Sequence, residues 1–432
     1  MKFLIDLLYL LAIAAISPKI IYRMIRHKRY RGGWSERLGR VSRKHPDKKC
    51  IWIHAVSVGE VNATRTLADR LGGESSDCEI VISATTDTGL ARAKSLYGDK
   101  LSVFYFPFDL SGVVSRALER IRPNVIVLME LEVWPNLTAI AGKQGIAVVV
   151  ANGRLSDKSF PRYKLIRSVI RPMFSRLSLV LAQTSEYAER FRYLGCPAEK
   201  VIVTNSLKYD TARITDKIDG ADEMAARLNI GADRLLVAGG TGPGEEKIVL
   251  EVLKELKKYR QFGDLRAAIV PRKPERFDEV AGLIAQAGFE FVRYSEIKNT
   301  DVTAEGRKPI ILGDTMGDLP KFYSLADVVF VGRSLTPMGG SDMMEPAAMS
   351  KCTIFGPHTF NFKQTVDALL AGGGAIEVQD EKGLLDTVRK CLTDRSYSDT
   401  VARNGQEVIR RNQGATARTA EAIRKLLEHR GN

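Results

Sequence analysis

A chain of 432 residues is too long for one ordinary core and suits two domains of about 200 residues each. Its 44% apolar content is that of a soluble globular protein, and the absence of a low-complexity tract or of a repeat of about 20–50 residues excludes a solenoid. The five cysteines (Cys50, Cys78, Cys196, Cys352 and Cys391) form no CxxC pair, which argues against a zinc site or a disulfide framework and fits a reducing, cytoplasmic compartment.

The net charge of +14 is unevenly spread. Phe3 to Ile16 is apolar except for Asp6, and Pro18 is expected to end that helix. Fourteen helical residues reach roughly 21 Å, short of the about 30 Å of a bilayer core. Residues 18–44 then hold ten Lys/Arg against Glu36 alone. Ala12-Ile13-Ala14 weakly resembles a signal-peptide cleavage site. The positive charge, however, follows the apolar stretch, and this holds the rest of the chain on the cytoplasmic side. Residues 1–30 are therefore read as an uncleaved, partly inserted membrane anchor with a basic patch. A second run, Arg154 to Arg176, holds seven Lys/Arg against Asp157; it is either a surface for polyanions or an ordinary solvated face.

Short β-branched runs alternate with helical stretches along the rest of the chain. Strands are expected at Ile51–Val56, Glu79–Ala84, Leu101–Pro107, Asn124–Glu130, Ala147–Asn152, Leu179–Thr184 and Val201–Asn205. A second set is expected at Leu235–Gly239, Arg266–Pro271, Glu290–Tyr294, Pro309–Gly313, Asp327–Gly332, Cys352–Gly356 and Ala375–Val378. Several are apolar at every position, as strands of a parallel sheet covered on both faces are. The fold class is α/β, with two Rossmann-like, doubly wound domains over 31–209 and 235–432 and a linker over 210–234. Such sheets bind ligands beyond the carboxyl ends of their strands, so an interdomain cleft is the expected site.

Candidate chemistry sits just after strands. Glu60, in Ser57-Val58-Gly59-Glu60, is either a catalytic carboxylate or a first-turn residue complementing a helix dipole. Glu130 and Glu132 precede Trp134-Pro135; one could orient or catalyse, or pair with the basic surface. Lys208 could meet an anion or be a plain linker residue. In the second half, Gly239-Gly240-Thr241-Gly242-Pro243-Gly244 is neither GxGxxG nor a Walker loop, yet its glycines expose backbone N–H groups. Arg272, after Pro271, could grip a phosphate or carboxylate. Gly339-Gly340-Ser341-Asp342 followed by Met343-Met344-Glu345-Pro346 suggests an anion site at a helix start, with Glu345 placed for ribose hydroxyls.

Eight ordered stretches resemble the 3-deoxy-D-manno-octulosonate (Kdo) transferases. They are Trp34-Ser35-Glu36-Arg37-Leu38-Gly39, His54 to Glu60, Met129 to Leu137, Ala151 to Ser156, Ser206 to Asp210, Val270 to Phe277, Gly313 to Gly317 and Gly356 to Phe362. The resemblance implies the GT-B fold and metal-independent, inverting transfer of Kdo from CMP-Kdo to the lipid A precursor. It places the enzyme at the cytoplasmic face of the inner membrane. It implies no cofactor and no nucleic-acid partner, and an anionic membrane surface as partner. By resemblance Glu60 is the general base, and Glu130 and Lys208 support the transition state. Pro271, Arg272, Met316, Gly317, Asp318, Asp342, Met343, Met344 and Glu345 would bind CMP.

Three positions depart from the family pattern. Thr241-Gly242 stands where the family usually has Thr-His, Ser341-Asp342 where it has His-Asn, and Arg333 where it has glycine. Arg333 and Ser341 are therefore candidate donor contacts, with Arg333 meeting the CMP phosphate, neutralising Asp342, or being a surface arginine with no ligand contact. Two rival readings remain: a GT-B enzyme using another nucleotide sugar, and a basic, nucleotide-binding regulator.

Overall fold

The fold is given by a computed structural model, which describes residues 2–27, 32–73, 77–298 and 308–428. Two compact units form, one of Met1–Thr211 with Gln413–Asn432 and one of Ala212–Asn412.

The first unit is built on seven strands: β1 Lys49–Ala55, β2 Cys78–Ala84, β3 Ser102–Tyr105, β4 Val125–Met129, β5 Ala147–Gly153, β6 Leu179–Ala182 and β7 Val201–Val203. They lie in the order β3-β2-β1-β4-β5-β6-β7, all parallel. Every residue of β4 is buried. Alternation along the strand sends Ile126 and Leu128 into a core with Trp52 and Phe191, and Val125, Val127 and Met129 into another with Ile53 and Val149. Each such side chain contributes about 1.5–3 kcal/mol by leaving water, which is why an unbroken apolar run is read as a two-sided strand.

The second unit repeats the plan with β8 Leu235–Thr241, β9 Arg266–Pro271, β10 Phe291–Arg293, β11 Ile310–Leu312, β12 Val328–Val331, β13 Cys352–Phe355 and β14 Ile376–Glu377. Their order is β10-β11-β9-β8-β12-β13-β14. In each sheet the strand order reverses beside the unit's first strand, between β1 and β4 and between β8 and β12, and the second sheet turns back once more where β11 lies between β9 and β10. Ligands of doubly wound sheets bind at that point.

Two sequence expectations need correction. The C-terminal helix Ala415–Glu428 groups with the first unit, although the sequence boundaries put it in the second. Its stripe of Ala415, Ala420, Ile423 and Leu427 joins the core that holds Val61 and Leu67, and Asp210 accepts hydrogen bonds from the Gly414 (2.7 Å) and Thr416 N–H groups at its start. The expected linker also contains a helix, Ala221–Arg227.

The N-terminal helix, Lys2–His27, does not end at Pro18 but continues through it. Proline removes the donor for the carbonyl four residues earlier, and the Ser17 hydroxyl donates to that Ala14 carbonyl at 2.8 Å. Among the described residues no helix is long and apolar enough to cross a membrane. The helix is held to the first unit by its polar residues. Asp6 accepts from the Ser111 N–H and from Asn136 Nδ2, both at 2.9 Å, and Tyr9 donates to Asp109 at 3.2 Å. Leu7, Leu8, Leu10 and Leu11 face outward, each more than half exposed.

Candidate active site

At the switch point of the first sheet, β1 runs into the Val58–Ala63 helix. Ser57 caps that helix, and Glu60 turns back to accept from the Val56 N–H (2.8 Å) and the Ser57 hydroxyl (2.9 Å). This is the reciprocal capping that a Ser-x-x-Glu sequence favours. The same bonds fix the carboxylate at the carboxyl end of β1. Burial raises the Glu60 carboxyl above its ordinary range; the Val56 N–H opposes this and the charge of Glu130 adds to it.

Glu130 follows β4, the neighbour of β1, with a left-handed backbone (φ 56°). Its N–H donates to the Ala151 carbonyl at 3.0 Å, and its carbonyl accepts from the Arg154 N–H at 3.4 Å, so the strain is held by β5 and its loop. Glu132 accepts from Trp134 Nε1 at 3.1 Å. Burial pushes its carboxyl up to about 7, with the charges of Glu60 and Glu130 adding to the shift. Three carboxylates therefore crowd one strand end.

Lys208 reaches this region through Asn152, the left-handed residue (φ 54°) in β5. The fully buried Asn152 side chain accepts from the Leu207 N–H at 3.0 Å, and the Leu207–Thr211 turn packs on the Val58–Ala63 helix. Among the described residues the Lys208 ammonium forms no ion pair, which leaves it available to an anion. His54, in the same stretch as Glu60, stacks on Phe106 at 3.8 Å, and burial holds its pKa down to about 3. It is a neutral core residue.

The second unit presents the other residues. Gly239 and Gly240 lie in β8, and a Cβ on Gly239 would stand 2.4 Å from the hydroxyl of the fully buried Tyr323. Pro271 pairs with Thr241, and Arg272 follows it with its N–H on the Thr241 carbonyl at 3.1 Å and its side chain exposed. Glu345 is pushed up to about 7 by burial and the charge of Asp342, with Arg272 opposing.

The other candidates take structural places. Asp318 is nearly buried and binds Lys298 (2.6 Å), Thr315 (2.7 Å) and Lys321 (3.0 Å). Met316 is largely exposed, Gly317 has φ 90°, and Met343 and Met344 are core residues. At the expected anion site after Gly339-Gly340 the chain's own side chains already use part of the hydrogen-bonding capacity. The helix is only Met344–Ala348, its Met344 N–H is taken by Asp342 at 2.9 Å, and the Ser341 hydroxyl is used on the Gly240 carbonyl at 2.7 Å. The Arg333 guanidinium donates to the Met338 carbonyl at 3.2 Å.

Sequence reasoning missed Glu245, which is completely buried at the start of the Glu245–Lys257 helix. It accepts from the N–H groups of Gly242 (2.9 Å), Arg333, Ser334 (2.8 Å) and Leu335 (2.9 Å). Its long-range partners leave no local signal. Among the described residues no group of three or more His, Cys, Asp or Glu could hold a metal ion.

Two parallel, doubly wound sheets, each with polar side chains at its switch point, are the architecture of the GT-B-like fold. A glycosyltransferase from Rickettsia africae has the same fold, with a TM-score of 0.57 at 13% identity over 88% of this chain and 99% of that one. The family model for 3-deoxy-D-manno-octulosonic-acid transferase (kdotransferase) matches residues 32–211. The chain is 33% identical to 3-deoxy-D-manno-octulosonic acid transferase of Haemophilus influenzae, over 94% of this chain and 93% of that protein. It is 31% identical to the transferase of Bordetella pertussis, over 97% and 99% of the two chains. The chain belongs to the Kdo transferase family.

Proposed function

We propose that the chain moves Kdo from CMP-Kdo to a hydroxyl of the lipid A precursor, lipid IVA, in lipopolysaccharide synthesis, with inversion and without a metal. The acceptor oxygen attacks the anomeric carbon of Kdo and a new C–O bond forms. The bond from that carbon to the CMP phosphate oxygen breaks, and CMP leaves with the electron pair. The acceptor proton passes to Glu60.

The observation that carries this reading is the placement of Glu60. It is a carboxylate fixed by Val56 and Ser57 at the switch point, with its basicity raised by burial. A positioned base of this kind contributes roughly 10²–10⁴ in rate. Glu130 and Lys208 flank it as transition-state support, and the unpaired ammonium of Lys208 suits developing negative charge. On the donor side, Pro271-Arg272, Met316-Gly317-Asp318 and Asp342 to Glu345 are the proposed CMP contacts. Arg272 and Glu345 are the proposed side-chain contacts; Asp318 and Met343 would act through their backbone. Arginine and lysine can stabilise both the phosphate and the Kdo carboxylate without a metal ion.

The cytoplasmic face of the inner membrane is the proposed location. The outward leucines of the N-terminal helix support it, as do exposed Leu165 and Val169, which sit among Arg162, Lys164, Arg167 and Arg171. Apolar side chains ringed by cations suit an anionic lipid surface. Flotation with anionic vesicles should carry the protein upward; an unchanged position would refute the membrane reading. The reaction itself is tested by mass analysis of the product formed from CMP-Kdo and a tetraacylated lipid A precursor. A mass increase of one or more Kdo units is expected, and transfer from a UDP-sugar instead would overturn the donor assignment.

A further inference from the structure

β8 lies between β9 and β12 in the second sheet. The chain beyond β8 is the glycine-rich turn, and an arginine follows each flanking strand, Arg272 after β9 and Arg333 after β12. Both surround Thr241. The Arg272 N–H bonds to its carbonyl at 3.1 Å, and a Cβ on Gly332, the residue before Arg333, would stand 2.5 Å from the Thr241 Cα. The stem of Arg333 crosses Gly242, whose Cβ would lie 3.1 Å from Arg333 Cγ and 2.5 Å from Met338 Sδ. Among the described residues neither guanidinium forms an ion pair.

Arg333 holds this place at a cost. Its φ of 60° is left-handed, a conformation unfavourable for a residue with a Cβ. Glu245 holds it there. One carboxylate oxygen accepts from the Arg333 and Gly242 N–H groups and the other from Ser334 and Leu335. The loop is closed at its base by Gly340 N–H on the Arg333 carbonyl (2.7 Å) and Ser341 N–H on the Gly332 carbonyl (2.9 Å). Within it the guanidinium uses a single donor, on the Met338 carbonyl at 3.2 Å. A strained cation with most of its donors free, fixed beside a glycine turn, suits an anion.

We propose that Arg333 and Arg272 form a two-sided guanidinium clamp for one anionic group of the donor at the tip of β8, and that Glu245 is the positioning residue that builds it. The proposal rests on the reading of CMP-Kdo as donor and adds how this chain holds that donor's charge. The group is a phosphate or a carboxylate, which two ligands separate: CMP carries only the phosphate, CMP-Kdo both.

The test is calorimetric titration of the full chain and its variants with CMP and CMP-Kdo. Arg333→Ala should weaken binding roughly ten- to hundredfold, with added guanidinium ion restoring part of it. Loss with both ligands places the phosphate in the clamp; loss with CMP-Kdo alone places the carboxylate there. Arg333→Gly should lose the same affinity while raising the melting temperature, because the left-handed strain goes with the side chain. Glu245→Gln presents an amide donor to two N–H donors. It should raise KM for the donor more than it lowers kcat, without rescue by guanidinium. An Arg333→Ala protein that binds both ligands as the wild type does would overturn the clamp. A wild-type chain that binds neither ligand would overturn the donor reading, and the clamp with it.

Discussion

The two switch points share one topology and carry opposite chemistry. In the first unit the strand ends crowd Glu60, Glu130 and Glu132 together, and burial and mutual repulsion raise Glu60 and Glu132. In the second unit the buried carboxylate Glu245 is saturated by four backbone N–H groups, and Glu246 by Thr241 and Arg276, while among the described residues Arg272 and Arg333 form no ion pair. The comparison teaches that the sheet decides where chemistry can sit, and the partners of each carboxylate decide whether it acts or only supports. Glu60, with one donor on each oxygen, is the proposed base, and Glu245, with two N–H donors on each, the proposed scaffold.

The largest effect that would sharpen this contrast belongs to Glu60→Gln. Transfer should fall roughly 10²–10⁴-fold while CMP affinity stays at the wild-type value, since that affinity belongs to the second unit. Turnover near wild type would return Glu60 to a helix cap and nothing more. Arg272→Ala should do the reverse, costing about 1.5–3 kcal/mol in CMP binding, or one to two decades. If CMP binds this variant unchanged, the cationic character of the second strand end is not functional.

Glu132 offers a smaller, pH-dependent test. Its folded-state pKa of about 7 lies above the ordinary 4.5. The stability that its protonation contributes is therefore complete below pH 4.5 and lost as the pH rises through 7. Glu132→Gln cannot lose it. At pH 8 the variant should be more stable than the wild type by about 1–2 kcal/mol in urea denaturation, allowing for partial solvent contact. The difference should vanish near pH 4; equal stability at both pH values would show that neither burial nor the neighbouring charges raise this carboxyl. The smallest expected effect is that of a chelator. Excess EDTA should leave transfer unchanged, because arginine and lysine carry the charge; activity lost with EDTA and restored by Mg²⁺ would refute this.

The sequence by itself determined the α/β class, all fourteen strands and the strand-end positions of Glu60, Glu130, Lys208 and Arg272. These are local properties: apolar runs report two-sided burial, and a polar residue after such a run lies beyond the carboxyl end of a strand. Tertiary structure decided what depends on distant partners. The Ala415–Glu428 helix could have covered either sheet, and only its fit to the first core settled which. Pro18 reads as a helix stop until Ser17 supplies the missing donor. Asp342 and Ser341 look free to bind a ligand until their hydrogen bonds to Met344 and Gly240 are seen. Glu245 looks like an ordinary first-turn glutamate, because its Arg333, Ser334 and Leu335 partners lie almost ninety residues away. Long-range satisfaction of buried polar groups leaves no periodic trace in a sequence, so the fold was legible and the division between acting and supporting carboxylates was not.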